Sequence, residues 1–373
     1  MHINSYFDAG NIKVVSADSA ADIRLKIRMD EGDRHGQWFF FQLCDLRGET
    51  CTITLENAGD MSYPEGFVDY RVATSSDLEH WHRIETRFDG QQLSWQCTPA
   101  SDAVYFAYFA PYSFERHQRL IGRALGTPGV SAEVLCVTPD GHPLTLLTIG
   151  EPAAHKKACW VIARQHPGET MAEWWVEGFL RRLTDPEDAV ARALLDHAVV
   201  YLVPNMNPDG SVRGHLRVNA HAINLNRAWK EPDEVTSPEV FFTRQRMHKT
   251  GVDFFLDVHG DEALPYNFIA GAEGVPRWTE AMDQELQNFK QRLMEITPAF
   301  QVEYGYELTP AGTADLRKAT DYVAETFGCL SMTLEMPFKD AANQPMPEIG
   351  WSPGRSERLG SACLDAMWQT LER

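Results

Sequence analysis

The sequence predicts an α/β protein preceded by an all-β domain. Three observations carry that reading. Residues 1–118 offer short β-rich runs separated by Gly, Asp, Asn and Ser clusters. Beyond residue 119, apolar strand-like runs alternate with helical ones, the pattern of a layered α/β domain. The length of 373 residues suits two domains, 1–118 and 119–373.

In the first part the runs IRLKIRM, QWFFFQL, TCTITLEN, VDYRVATS and AVYFAYFAPY read as strands. Regularly spaced short strands with turn signals point to an antiparallel β-sandwich. No long amphipathic helix stands out before Glu115. In the second part LTLLTIG (144–150) and ACWVIAR (158–164) read as strands. Residues 168–183 read as a helix, with Trp174, Trp175, Phe179, Leu180 and Leu183 on one stripe. Asp185-Pro186 is expected to open another helix, as an N-cap acceptor followed by Pro at the first helical position. HAVVYLVP (197–204) is a continuous apolar run, typical of a strand buried on both faces. A helix over 237–250, a strand over 252–259, a helix over 279–295, a strand over 329–336 and a final helix from about Ser356 complete the pattern.

Composition narrows the function. Lys+Arg number 34 against 53 Asp+Glu, a formal net charge of -19. Nonspecific nucleic-acid binding needs cationic side chains to displace counterions, so it is disfavoured. An anionic membrane surface is disfavoured for the same reason. Seven cysteines without a CxxC pair argue against a disulfide framework or a Cys-rich zinc module. The N-terminus has neither the basic start nor the apolar core of a signal peptide, and no apolar run reaches membrane-spanning length. The expected location is cytoplasmic.

Four features carry chemistry. His166-Pro167-Gly168-Glu169 follows a strand and opens a helix, where an imidazole and a carboxylate three residues apart can converge on one metal. His259 ends an apolar strand beside glycine. Glu335 sits in the apolar strand LSMTLEM, where a buried carboxylate is costly unless paired or functional. The loop 203–229 is rich in Asn, Gly and Pro and carries Arg213, Arg217 and Arg227, whose planar forks suit carboxylates. Singly, each has an ordinary alternative: a solvated histidine, a strand-end glutamate, a loop with surface arginines.

Together, HPGE, the NPDG…NR loop, the late His and the still later Glu resemble, in that order, the zinc carboxypeptidases of the funnelin family. GQWFFFQL (36–43), YFAPYSF (108–114), HPGET (166–170) and TLEMPF (333–338) resemble its cytosolic carboxypeptidase subfamily, and the likeness covers essentially the whole chain. The resemblance implies an α/β/α mixed-sheet zinc carboxypeptidase domain behind a β-sandwich. It implies one zinc ion held by His166, Glu169 and His259, with Glu335 as general base toward a zinc-bound water. Arg217 then polarises the scissile carbonyl, and Asn226 and Arg227 grip the terminal carboxylate of a peptide or protein substrate. One departure is Asn224, where the family usually has an aspartate that orients a zinc-ligating histidine. The digestive relatives also use a mobile tyrosine; Tyr304, Tyr306 and Tyr322 are candidates.

Members of the subfamily include deglutamylases, which implies a cationic pocket for an acidic P1′ side chain. Arg317 and Lys318 are the first residues to examine, with Arg213, Arg217 and Arg227 as the expected local cationic cleft. Two other functions compete: a zinc deacylase of the aspartoacylase or succinylglutamate desuccinylase type, and a non-catalytic peptide-binding module on the same fold.

Overall fold

The N-terminal strands bury alternate residues, and that alternation builds two facing sheets. The computed structural model describes residues 1–372. One sheet orders His2–Asn4, Phe40–Cys44, Ala103–Ala107, Val72–Ser75 and His82–Ile84. The other orders Lys13–Ser19, Asp22–Lys26, Cys51–Leu55, Leu93–Cys97 and Thr86–Phe88. Cys51, Ile53 and Leu55 point inward while Thr52 and Thr54 are half-buried, the period-two pattern of a strand with one core face. The inner faces meet through aromatic rings: Trp95 of one sheet lies 6.4 Å from Phe41 and 5.5 Å from Phe106 of the other. The sandwich is as expected, with one correction. Asp22–Lys26 and Cys51–Leu55 pair in parallel, because the chain between them crosses through strand Phe40–Cys44 of the opposite sheet before returning.

The C-terminal domain is built on one seven-stranded mixed sheet. Its order is Val130–Val137, Pro143–Ile149, Ala198–Val203, Lys157–Ala163, Phe254–Val258, Leu330–Glu335 and Phe268–Ala270. The four central strands are mutually parallel, and antiparallel pairs flank them. Every residue of Ala198–Val203 is buried, as a strand covered on both faces requires. The pleat divides the side chains between two layers. Cys159 and Val161 join one core with Trp175, Phe179 and Leu364 of helices Met171–Leu183 and Pro353–Leu371. Trp160 and Ile162 join a second core with Val240, Met247 and Val323 of helices Pro238–Thr250 and Ala319–Phe327. This is the α/β/α layering.

Three helix starts differ from the sequence reading. The helix expected from 168 begins at Met171, after the HPGE turn. Asp185-Pro186 lies in a turn, and the helix is Ala189–His197. Asp188 outcompetes Asp185 as the cap because its side chain accepts from both Val190 N and Ala191 N. The last helix starts at Pro353 rather than near Ser356, since Pro is favoured at a first helical position. Strand Val130–Val137 carries little sequence signal, being an edge strand with five exposed residues. No helix among the described residues is long and apolar enough to cross a membrane.

The two domains share one core. The Tyr108 ring stacks on Phe338 at 4.6 Å. The buried Arg83 guanidinium, from the sandwich, donates to the carbonyls of Arg71, Tyr108 and Phe338. Helix Phe114–Leu125, capped by the Ser113 side chain, runs across the expected 118/119 boundary.

Candidate active site

The expected metal ligands and Glu335 lie at the carboxyl ends of central strands, where open α/β sheets place their ligands, whereas Arg217, Asn226 and Arg227 come from the long loop after Ala198–Val203. Lys157–Ala163 leads into His166 and Glu169, Phe254–Val258 into His259, and Leu330–Glu335 ends on Glu335. Glycine at 168 lets the HPGE turn pack closely on Leu216. A Cβ there would meet Leu216 side-chain and backbone atoms at 3.0–3.2 Å, and Gly168 N donates to Leu216 O at 3.0 Å. The turn precedes the helix, which begins at Met171.

The three expected ligands converge. His166 Nδ1 lies 2.6 Å from Glu169 Oε1, and His259 Nδ1 lies 2.7 Å from Glu169 Oε2. One ligand atom from each lies within 4.8 Å of the others. The opposite nitrogens face acceptors: His166 Nε2 is 3.1 Å from Asn224 Oδ1, and His259 Nε2 is 2.9 Å from Asp257 Oδ2. A proton held on each Nε2 leaves both Nδ1 lone pairs turned inward, as metal ligation requires. Burial, then the nearby Arg217 charge, holds the pKa of His166 down at about 3, so its ring is neutral at pH 7. Burial also lowers the pKa of His259, but Asp257 and Glu169 outweigh it and raise it well above the usual value, so a bound metal would take the place of the proton that the ring otherwise shares with Glu169 at Nδ1. This His₂Glu set, with three convergent donors and acceptors behind both rings, fits a catalytic zinc site.

Glu335 is 7 % exposed and its Oε2 has no hydrogen-bond partner among the described residues. Burial raises its pKa well above the usual carboxylate value. Arg217 lines the same cleft of about 410 Å³, beside Tyr63, Asn226, Arg227, Lys318, Asp321 and Tyr306. Asn226 Oδ1 accepts from Ala319 N at 2.9 Å, which turns its Nδ2 toward the metal cluster, 3.4 Å from His259 Nε2. Arg227 Nη1 donates to Asn226 O, and the rest of its fork has no hydrogen-bond partner among the described residues.

Of the three candidate tyrosines, Tyr306 alone lines this cleft. Its hydroxyl donates to Asp261 Oδ2 at 2.7 Å and lies 3.2 Å from Glu335 Oε1. Tyr304 stacks on Tyr266, and the Tyr322 hydroxyl bonds His248. Two expected basic residues fall elsewhere. Arg213 pairs with Asp140 and Glu31, and the exposed Arg317 pairs with Asp315; neither lines the cleft. Adjacent carboxylates neutralised both. Tyr63, Glu65 and Glu262 line the cleft and were missed. Glu262 had a signal, three residues after His259 in the same loop; Tyr63 and Glu65 had none, because they come from the other domain.

A family model described as zinc carboxypeptidase matches residues 128–350, more than half of the chain. The chain belongs to the zinc carboxypeptidase family. A second model, the cytosolic carboxypeptidase N-terminal domain, matches residues 3–109. The metallo-carboxypeptidase of Burkholderia cenocepacia is 46% identical over 100% of this chain and 99% of its own, with a TM-score of 0.97. A metallo-carboxypeptidase from Pseudomonas aeruginosa, solved with (2-guanidinoethylmercapto)succinic acid, is 43% identical over 100% of this chain and 99% of its own, with a TM-score of 0.97. Cytosolic carboxypeptidase 3 of Mus musculus is 29% identical over 73% of this chain. The match spans only 30% of that protein's length. As a zinc carboxypeptidase family member the chain is a hydrolase that uses one zinc ion and acts on peptide C-termini.

Proposed function

We propose that the chain removes single residues from the C-termini of peptides or protein tails, with the residues of this cleft in defined roles. The observation that carries the reading is the convergence of ligand atoms of His166, Glu169 and His259 within 4.8 Å of one another, beside a buried Glu335 whose Oε2 has no hydrogen-bond partner among the described residues. The two histidines and Glu169 would hold zinc, which supplies Lewis-acid polarisation of the carbonyl and of the attacking water. Glu335 takes a proton from that water through its free Oε2 and passes it to the leaving amine. Arg217 stands where negative charge develops on the carbonyl oxygen; its guanidinium has no hydrogen-bond partner among the described residues and rests 5.6 Å above the Tyr63 ring. Arg227 and the Asn226 amide hold the terminal carboxylate, which makes the enzyme an exopeptidase. Tyr306 orients Glu335 and the incoming C-terminus.

The P1′ pocket is set by Lys318 and Asp321, paired at 3.1 Å in the cleft. A glutamate preference rests on Lys318 alone, now that Arg213 and Arg317 lie outside. A second reading, a basic P1′ residue, is favoured by the buried Asp321 carboxylate and by the neighbouring Glu262 and Asp261. It is also favoured by the guanidino ligand of the Pseudomonas aeruginosa relative. The likeness to cytosolic carboxypeptidases supports a cytoplasmic location.

Mass-spectrometric profiling of C-terminal trimming by zinc-loaded protein tests the reading, with Glu335→Gln as control. Stepwise loss of single C-terminal residues is the expected result. Release from acyl-aspartates but not from peptides would move the function to the deacylase class. Bound zinc with no product from any peptide would leave the binding module. In the same assay Lys318→Met should slow Glu-ended peptides more than Lys-ended ones under the first P1′ reading; Asp321→Asn should do the reverse under the second.

A further inference from the structure

A loop of the catalytic domain takes its shape from a carboxylate of the other domain. Residues 214–219 belong to no helix or strand, so their backbone N–H groups have no ladder to join. Leu216 and Val218 are nonetheless buried, 1 % and 2 % exposed. A buried N–H without an acceptor costs about 1–3 kcal/mol, so three in a row demand one. Asp30 supplies it. Its Oδ1 accepts from Leu216 N at 2.6 Å, and its Oδ2 accepts from Arg217 N at 2.7 Å and Val218 N at 3.1 Å. Asp30 is itself 3 % exposed. The residue next to it continues the grip, with Glu31 N donating to His215 Nε2 at 3.2 Å. Three successive N–H groups converging on one carboxylate form a backbone anion nest. Here the anion is a side chain of the β-sandwich.

Arg217 is the middle residue of the three. Its main chain is pinned at N, and its side chain extends into the cleft over Tyr63, also a sandwich residue. We propose that Asp30 is a positioning residue for Arg217: it fixes the backbone from which the guanidinium meets the developing oxyanion. The sandwich is therefore a working part of the active site as well as a neighbour of it. The proposal rests on the role given to Arg217 above. No neutral side chain of this size serves equally. An asparagine offers one oxygen, and its NH₂ group would confront a backbone N–H.

The test is a double-mutant cycle on zinc-loaded protein of measured metal content: wild type, Asp30→Asn, Arg217→Met, and both together. Displacing a catalytic group by about 1 Å can cost 10²-fold. Asp30→Asn should therefore lower kcat by about 10–100-fold with KM changed less than threefold. In the Arg217→Met background the same change should cost less than about threefold. If Arg217→Met leaves kcat untouched, the reading of Arg217 is wrong. If Arg217→Met is costly and Asp30→Asn multiplies that cost in full, Arg217 stands and the Asp30 proposal falls. Should Asp30→Asn fail to fold, amide hydrogen exchange of wild type decides. Leu216, Arg217 and Val218 should exchange at least 100-fold more slowly than unpaired loop amides; rapid exchange of all three overturns the proposal.

Discussion

Glu335 and Asn224 are the residues whose substitution says most about the chemistry. Glu335→Gln keeps the shape of the site and removes the proton acceptor. It should lower kcat by about 10²–10⁴-fold while zinc content, read by atomic absorption, is unchanged. Asn224 stands 3.1 Å behind His166 with a neutral oxygen. Asn224→Asp should retain activity and raise the basicity of the ring, moving the acid limb of kcat/KM to higher pH. Loss of zinc in that variant would count against its assigned place. At this scale the sequence was most legible in which side chains come together: His166, Glu169, His259 and Glu335 line one cleft. It was least legible for exposed arginines, because the spacing of Arg213 and Arg317 says nothing of the aspartates that capture them.

Among the elements, helix Pro238–Thr250 and the crossing of Met171–Leu183 with Pro353–Leu371 make separate demands. Glu239 of the first is fully buried, accepts from Asn219 Nδ2, and has its pKa pushed up by burial to about 7. The folded state thus holds that proton more tightly than the unfolded chain does. Stability should fall as pH rises from about 4.5 to about 7 and level off above, by up to ~3 kcal/mol. Glu239→Gln should remove this falling limb, seen as urea midpoints that no longer drop between pH 5 and 8; parallel curves would clear Glu239 of the effect. The two crossing helices touch through glycines. A Cβ on Gly360 would lie 2.1 Å from Trp175 O, and one on Gly178 would lie 1.9 Å from Glu357 O. Gly360→Ala should cost about 1–3 kcal/mol by urea denaturation, the range for overpacking, without loss of zinc. The buried strands were readable as apolar runs. The edge strand Val130–Val137 was not, since its exposed face breaks the apolar signal, and Asp188 could be told from Asp185 only by which carboxylate reaches the first turn.

For the molecule as a whole, the two-part architecture was legible and the dependence of one part on the other was not. Contacts between residues such as Asp30 and Leu216 leave no local pattern, because nothing in either segment announces its partner. The consequence is measurable. A fragment of residues 119–373 would lose Asp30, Tyr63 and the packing partner of Phe338, so it should be insoluble or should retain under 1% of the activity when expressed alone. The Arg83–Phe338 contact has a further consequence for synthesis. Its partners stand 255 residues apart, and a ribosome adds roughly 5–20 residues per second. For roughly 10–50 s the finished sandwich therefore waits with Arg83 uncapped on that side and the Tyr108 ring uncovered. Nascent chains stalled within this interval should be the ones that bind chaperones, and chains released past Phe338 should not.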